Sequence, residues 1–143
     1  MIKNNGCCDL EYAKKLKELG VKQESIFYYI DYVNSGCEIA FFPKGLKKGH
    51  IKKLEIHPTL EGQFYSAFTV AELGEMLPYY LVGKGELTIK KNYLRDKRTG
   101  WNVRYEKTIN CKGEPLPTIC GDIMANAMAL MLIWLIENKM MEV

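Results

Sequence analysis

Basic side chains are the residues of this chain whose grouping most suggests chemistry. Lys44, Lys47, Lys48, Lys52 and Lys53 stand close together between Pro43 and Lys53, a stretch that also holds two glycines. A second group joins Lys90 and Arg104 to Arg95, Lys97 and Arg98. Cations set a few residues apart neutralise successive phosphates, and exposed tyrosines offer bases a surface to stack on. These residues are the candidate nucleic-acid contacts. The plainer reading is a solvated lysine loop and a hairpin whose charges deter edge-to-edge aggregation. Glu86, Asp96 and Glu106 dilute the hairpin's charge, and the plainer reading is preferred.

Other reactive side chains are scattered. Glu72 and Glu75 are three apart, a spacing at which two carboxylates can share acid–base work. Thr69 stands three residues before Glu72, however, and that pair reads as a helix capping box. His57 precedes Pro58 and reads as a solvated or packed histidine. The five cysteines, Cys7, Cys8, Cys37, Cys111 and Cys120, are odd in number. They form no C-x-x-C pair, and His50 and His57 are not at zinc-finger spacing. They read as free thiols in a reducing compartment rather than a scattered zinc site. Cys7 and Cys8 could be activated by a nearby helix start, where the dipole lowers thiol pKa, although inert thiols are the simpler expectation. No G-x-S-x-G, H-E-x-x-H or phosphate-binding glycine loop occurs. The expectation is a protein without catalytic residues, metal or cofactor.

The elements that position these groups follow from size and pattern. A chain of 143 residues with 48% hydrophobic and 26% charged residues is one ordinary globular domain. Met1 to Cys8 reads as a loose lead-in. The net charge is +3, but residues 43–109 carry 13 Lys+Arg against 7 Asp+Glu, leaving the remainder slightly acidic. The longest apolar run, Ile123 to Ile136, is short of the roughly 20 residues a bilayer-spanning helix needs. No secretory leader is visible. These features predict a soluble cytoplasmic protein with no membrane partner.

Leu10, Ala13, Leu16 and Leu19 recur at helical spacing after Asp9 and before Gly20, which predicts helix one over about 9–20. Ser25–Val33 and Cys37–Phe42 flank Asn34-Ser35-Gly36 and predict a first hairpin with apolar residues on both faces. Pro43–Lys53 reads as a loop, Lys53–His57 as a short strand, and the chain on to Ser66 as a connection. Thr69 and Glu72, with Phe68 and Leu73 as a hydrophobic staple, open helix two, about Val70–Leu77 before Pro78. Glu86–Leu94 and Trp101–Ile109 alternate cleanly and predict a second hairpin. Leu87, Ile89, Tyr93, Trp101, Val103, Tyr105 and Ile109 share its core face. Residues 110–119 hold Pro115 and Pro117 and read as a loop. Asp122 caps a last helix, 122–139, apolar nearly all round and therefore buried or facing a partner. The expected fold is α+β: an antiparallel sheet of two hairpins with helices on one face and a long apolar C-terminal helix. Its expected core is Leu16, Leu73, Leu77, Ile89, Trp101, Val103, Met128, Leu132 and Leu135.

Three segments together carry a resemblance: residues 67–78 (AFTVAELGEMLP), residues 101–105 (WNVRY) and residues 125–138 (ANAMALMLIWLIEN). They resemble a group of small proteins encoded by bacteriophages and prophages of bacteria, generally labelled hypothetical. The likeness covers about residues 64–140, and its motifs are structural rather than catalytic. It implies a phage or prophage gene product acting in a bacterial host's cytoplasm, and it carries no activity to transfer.

The leading functional expectation is a non-enzymatic phage accessory protein that binds a host or phage protein. Methionines along the last helix suit adaptable contacts. The alternative is weak nucleic-acid binding through loop 44–53 and hairpin tip 95–98. A symmetric homodimer is also expected, through the last helix or the aromatic hairpin at Phe27, Tyr29 and Phe41.

Overall fold

Two helix ends show how local sequence sets the chain's path. Helix α1 spans Leu10–Glu18 and ends in a Schellman motif: Gly20 N–H donates to Lys17 O and Val21 N–H to Leu16 O, both at 3.0 Å. Gly20 takes φ +86°, a conformation glycine adopts without a Cβ clash. Helix α2 spans Val70–Met76 and begins with the complete capping box: Thr69 Oγ1 accepts from Glu72 N–H, and Thr69 N–H donates back to the Glu72 carboxylate. The staple residues Phe68 and Leu73 are both buried.

The chain is described by a computed structural model over residues 6–32, 36–44, 64–93, 99–109 and 111–143. Strands β1 (Phe27–Tyr32), β2 (Gly36–Phe41) and β3 (Phe64–Ser66) form one antiparallel sheet in the order β2-β1-β3. Strands β4 (Tyr80–Leu81), β5 (Gly85–Tyr93), β6 (Thr99–Glu106) and β7 (Ile119–Gly121) form a second, in chain order. Helix α3 spans Met124–Glu137. The α+β class, both hairpins and the C-terminal helix are as the sequence predicts, but the hairpins lie in two sheets. Contacts explain the arrangement. Helix α3 touches α1, α2, β6 and β7, while α1 touches β3. The helices thus form a layer between the sheets and bury one face of each.

The second hairpin pairs core-face residues with one another, Leu87 opposite Tyr105 and Ile89 opposite Val103, a register that alternation alone leaves open. Of the expected core, Leu16, Leu73, Leu77, Val103, Met128, Leu132 and Leu135 are buried, and Ile89 and Trp101 pack half-buried against them. Ile109 departs from expectation. Strand β6 ends at Glu106, so Ile109 leaves the alternation and lies fully exposed.

Other departures have local causes. Cys7 and Cys8 are no loose lead-in: Cys8 N–H donates to Phe68 O, Cys7 bridges Thr69, and both side chains are buried. Strand β3 falls where a connection is expected and β7 begins at the last residue of the expected 110–119 loop, because three residues are too few to show a period. Asp122 is not the cap of α3. Ile123 holds that position, and the Asp122 carboxylate accepts from Ile123 N–H and from Asn126 Nδ2, each within 2.9 Å. Asn126 is buried, and its amide also donates to Asp9 Oδ2 and accepts from Asp9 N–H, both at 2.8 Å. The start of α1 is thereby tied to the start of α3. The Asn34-Ser35 turn, the 53–57 strand and both histidines lie outside the described residues.

Two glycine substitutions test this layering. A Cβ on Gly121 would stand 2.5 Å from the Ala127 nitrogen, where β7 meets α3. Gly121→Ala is expected to cost about 1–3 kcal/mol in urea unfolding, the range for overpacking. Gly74, inside α2, has only Met128 Cε near, at 3.6 Å. Gly74→Ala is expected to stabilise by roughly 0.5–1 kcal/mol.

Candidate functional site

The basic residues divide into those the structure places and those it does not. Lys47, Lys48, Lys52, Lys53, Arg95, Lys97 and Arg98 lie outside the described residues. Lys44 is exposed beyond β2. Lys90 and Arg104 share the polar face of the second hairpin, where both converge on one carboxylate. Lys90 Nζ lies 3.1 Å from Glu106 Oε1, and Arg104 hydrogen-bonds the same oxygen. These two donors hold the Glu106 carboxyl below its usual pKa. Glu86 stands directly opposite Glu106 in the register. The hairpin's described polar face therefore balances two cations with two carboxylates. Lys91, on the other face, sits 5.9 Å from the centre of the Trp101 ring.

The carboxylates and thiols that could do chemistry are mostly engaged. Glu72 accepts four hydrogen bonds: from Thr69 N–H (2.7 Å), Thr69 Oγ1 (3.0 Å), Ser25 Oγ (3.0 Å) and Ile26 N–H (3.1 Å). It lines a hollow of about 400 Å³ with Gln23, Ser25, Tyr28 and Lys44. Ser25 is 4% exposed, and its oxygen also accepts from Phe27 N–H. The pair joins α2 to the start of β1. Burial pushes the Cys7 thiol up to about 11 and the Cys8 thiol to about 12. Both are therefore neutral at physiological pH, and the dipole activation considered for them does not operate.

The last helix is covered within one chain. Nine of its residues, Asn126 among them, are buried, and Met124, Leu130, Trp134 and Ile136 are half-buried. Within one chain no side chain of α3 before Glu137 is left exposed. In the aromatic hairpin, Tyr29 is buried and its hydroxyl donates to Cys8 O at 2.7 Å. Phe27 and Phe41 stack on each other at 5.0 Å.

Exposed apolar residues do occur at the end of the second sheet, around β4 and its turn into β5 and just past β6. Tyr79 is 70%, Val82 91% and Ile109 102% exposed, and Tyr80 is also exposed. Tyr80 lies in β4, Tyr79 and Val82 flank that strand, and Ile109 follows β6. The Cys111 thiol lies 3.9 Å from the Tyr80 hydroxyl and 3.4 Å from Thr108 Oγ1. Lys84 Nζ donates to Glu114 O at 2.9 Å. The chain after Ile109 is thus fastened along the turn that carries Val82. The Thr108 contact also holds the Cys111 thiol below its ordinary pKa. Alternation hid the exposure of Ile109 by assigning it to the core face. A usable signal was valine beside Gly83, since turns are ordinarily polar. Among the described residues no group of three metal-ligating side chains occurs.

No family model matches the chain, and neither curated proteins nor solved structures yield a match.

Thiol chemistry tests the burial of the N-terminal pair. Cys7 and Cys8 are expected to resist a thiol-specific reagent at pH 8 until urea unfolds the chain, while Cys111 and Cys120 react in the folded state. Both buried thiols keep protons in the folded chain that an ordinary thiol releases near 9.0. Their stabilisation is whole below pH 9 and is lost as pH rises from 9 toward 12. The urea midpoint should therefore fall between pH 8 and pH 10.5, and less steeply in Cys8→Ala.

Proposed function

We propose that this chain is a non-enzymatic protein-binding module, and that its partner docks on the end of the second sheet. The observation that carries this reading is the exposure of Tyr79, Tyr80, Val82 and Ile109 at one end of the second sheet. Single exposed apolar residues are ordinary, but four on two chain segments that are fastened to each other are the kind of surface a partner covers. Tyrosines are favoured at such centres because they bury a large area with few rotatable bonds. The resemblance to phage and prophage proteins supports a setting in the bacterial cytoplasm and a host or phage protein as partner.

The test compares the wild-type chain with Val82→Ser/Ile109→Ser. These side chains are exposed, so the variant should keep its stability to within about 0.5 kcal/mol. Each is used to capture proteins from phage-infected bacteria, with mass spectrometry as the readout. Proteins held by the wild type and lost by the variant are expected. Identical capture by both, or capture of nucleic acid alone with salt-sensitive affinity, would overturn the reading.

A further inference from the structure

The β6–β7 ladder stops where the sequence removes its donors. Its register sets Trp101 opposite Gly121, Asn102 opposite Cys120 and Val103 opposite Ile119. Continued, it would set Tyr105 opposite Pro117 and Lys107 opposite Pro115. The direction of the backbone groups follows from β5. Leu87 N–H donates to Tyr79 O on the β4 side at 2.8 Å. Backbone groups alternate sides along a strand, so Glu86, Thr88 and Lys90 turn theirs toward β6. Their partners Glu106, Arg104 and Asn102 turn back toward β5. Val103 and Tyr105 consequently turn their N–H and C=O groups the other way, toward the β7 side. Val103 finds Ile119 there. For Tyr105 the continued register offers Pro117, which has no N–H to give. The two segments part around a hollow of about 400 Å³, with Arg104, Tyr105, Glu106 and Lys107 on one wall and Pro115, Leu116 and Thr118 on the other.

We propose that this hollow is a strand-addition site that takes an extended, acidic segment of a partner protein. The β6 backbone supplies the directional donors and acceptors on which strand addition relies. Pro115 and Pro117 keep the chain from zipping the slot closed, and their fixed φ holds it open without the partner. From Arg104 to Lys107 the wall offers four residues, about 13 Å at roughly 3.3 Å per residue. Charge selects the occupant. Arg104 and Lys107 line the slot with one acid, Glu106, and that carboxylate is already engaged by Lys90 and Arg104. Lys107 makes no ion pair with any described residue, so a carboxylate on the incoming segment meets an uncompensated ammonium. The inference rests on the protein-binding reading above but uses different residues from its exposed apolar ones.

The probe is a labelled, end-capped peptide Thr-Glu-Val-Glu-Thr added to the full chain. Fluorescence anisotropy gives its affinity, and amide NMR shifts give its position. The controls are the same peptide N-methylated on alternate amides in each of two frames, and Thr-Lys-Val-Lys-Thr. Shifts at the Tyr105 and Lys107 amides are expected, with binding at least tenfold weaker for one N-methylated frame and for the lysine peptide. Pro117→Val restores a donor opposite Tyr105. It should slow Tyr105 amide exchange and weaken the peptide at least tenfold in a chain that remains folded. Lys107→Glu should weaken it several-fold. Val82→Ser/Ile109→Ser should leave peptide binding unchanged, which separates failure of this slot from failure of the exposed apolar residues. Absence of acidic-peptide binding, equal binding of both N-methylated frames, unchanged binding by a folded Pro117→Val, or a single-stranded oligonucleotide shifting the same amides instead would each overturn the proposal.

Discussion

The Glu72 carboxylate is the junction on which the first sheet depends. Its donors come from Thr69, at the start of α2, and from Ser25 and Ile26, at the start of β1. A seven-residue helix is too short to persist by its own hydrogen bonds, so α2 needs both its cap and its packing. A charged acceptor near a helix N-terminus makes stronger hydrogen bonds than a neutral one and is favoured by the dipole. The same group that starts α2 therefore fixes where β1 begins. Strand β1 is the centre of its sheet, and β2 and β3 take their registers from it. Lys17 adds a second tie by donating to Phe64 O at 2.7 Å, which holds α1 against β3.

The second sheet is held differently. It leans on α3 through β6 and β7, with Val103 and Tyr105 buried in the shared core and Gly121 allowing β7 to approach the helix backbone closely. Tyr105 also ties inward by its hydroxyl, which donates to Pro78 O at 2.7 Å. This anchoring uses one face of the sheet. It leaves the β4–β5 turn, the chain after Ile109 and the gap opened by Pro115 and Pro117 facing outward.

Much of this was legible because it is local. The capping box needs only residues 69 and 72, the Schellman end of α1 needs Gly20, and the hairpin faces follow from alternation between Leu87 and Tyr105. What escaped was tertiary. Nothing near Glu72 announces that Ser25 and Ile26 will also donate to it. Asn126 reads as an interruption in an apolar helix, yet its amide joins residues 9 and 122. One sheet or two depends on what α1 and α3 touch, which no periodicity encodes. The prolines at 115 and 117 correctly marked irregular chain. That they also end a ladder became visible only with the register of β6 against β7.

Native-state amide hydrogen exchange on Glu72→Ala tests the division between the two sheets most directly. If Glu72 anchors the first sheet alone, protection should fall together in α2 and in β1 from Phe27 to Ile30. Amides of β5 and β6 paired within their ladder should keep their wild-type protection. An equal loss of protection in both sheets, or none in β1, would contradict the role given to this carboxylate.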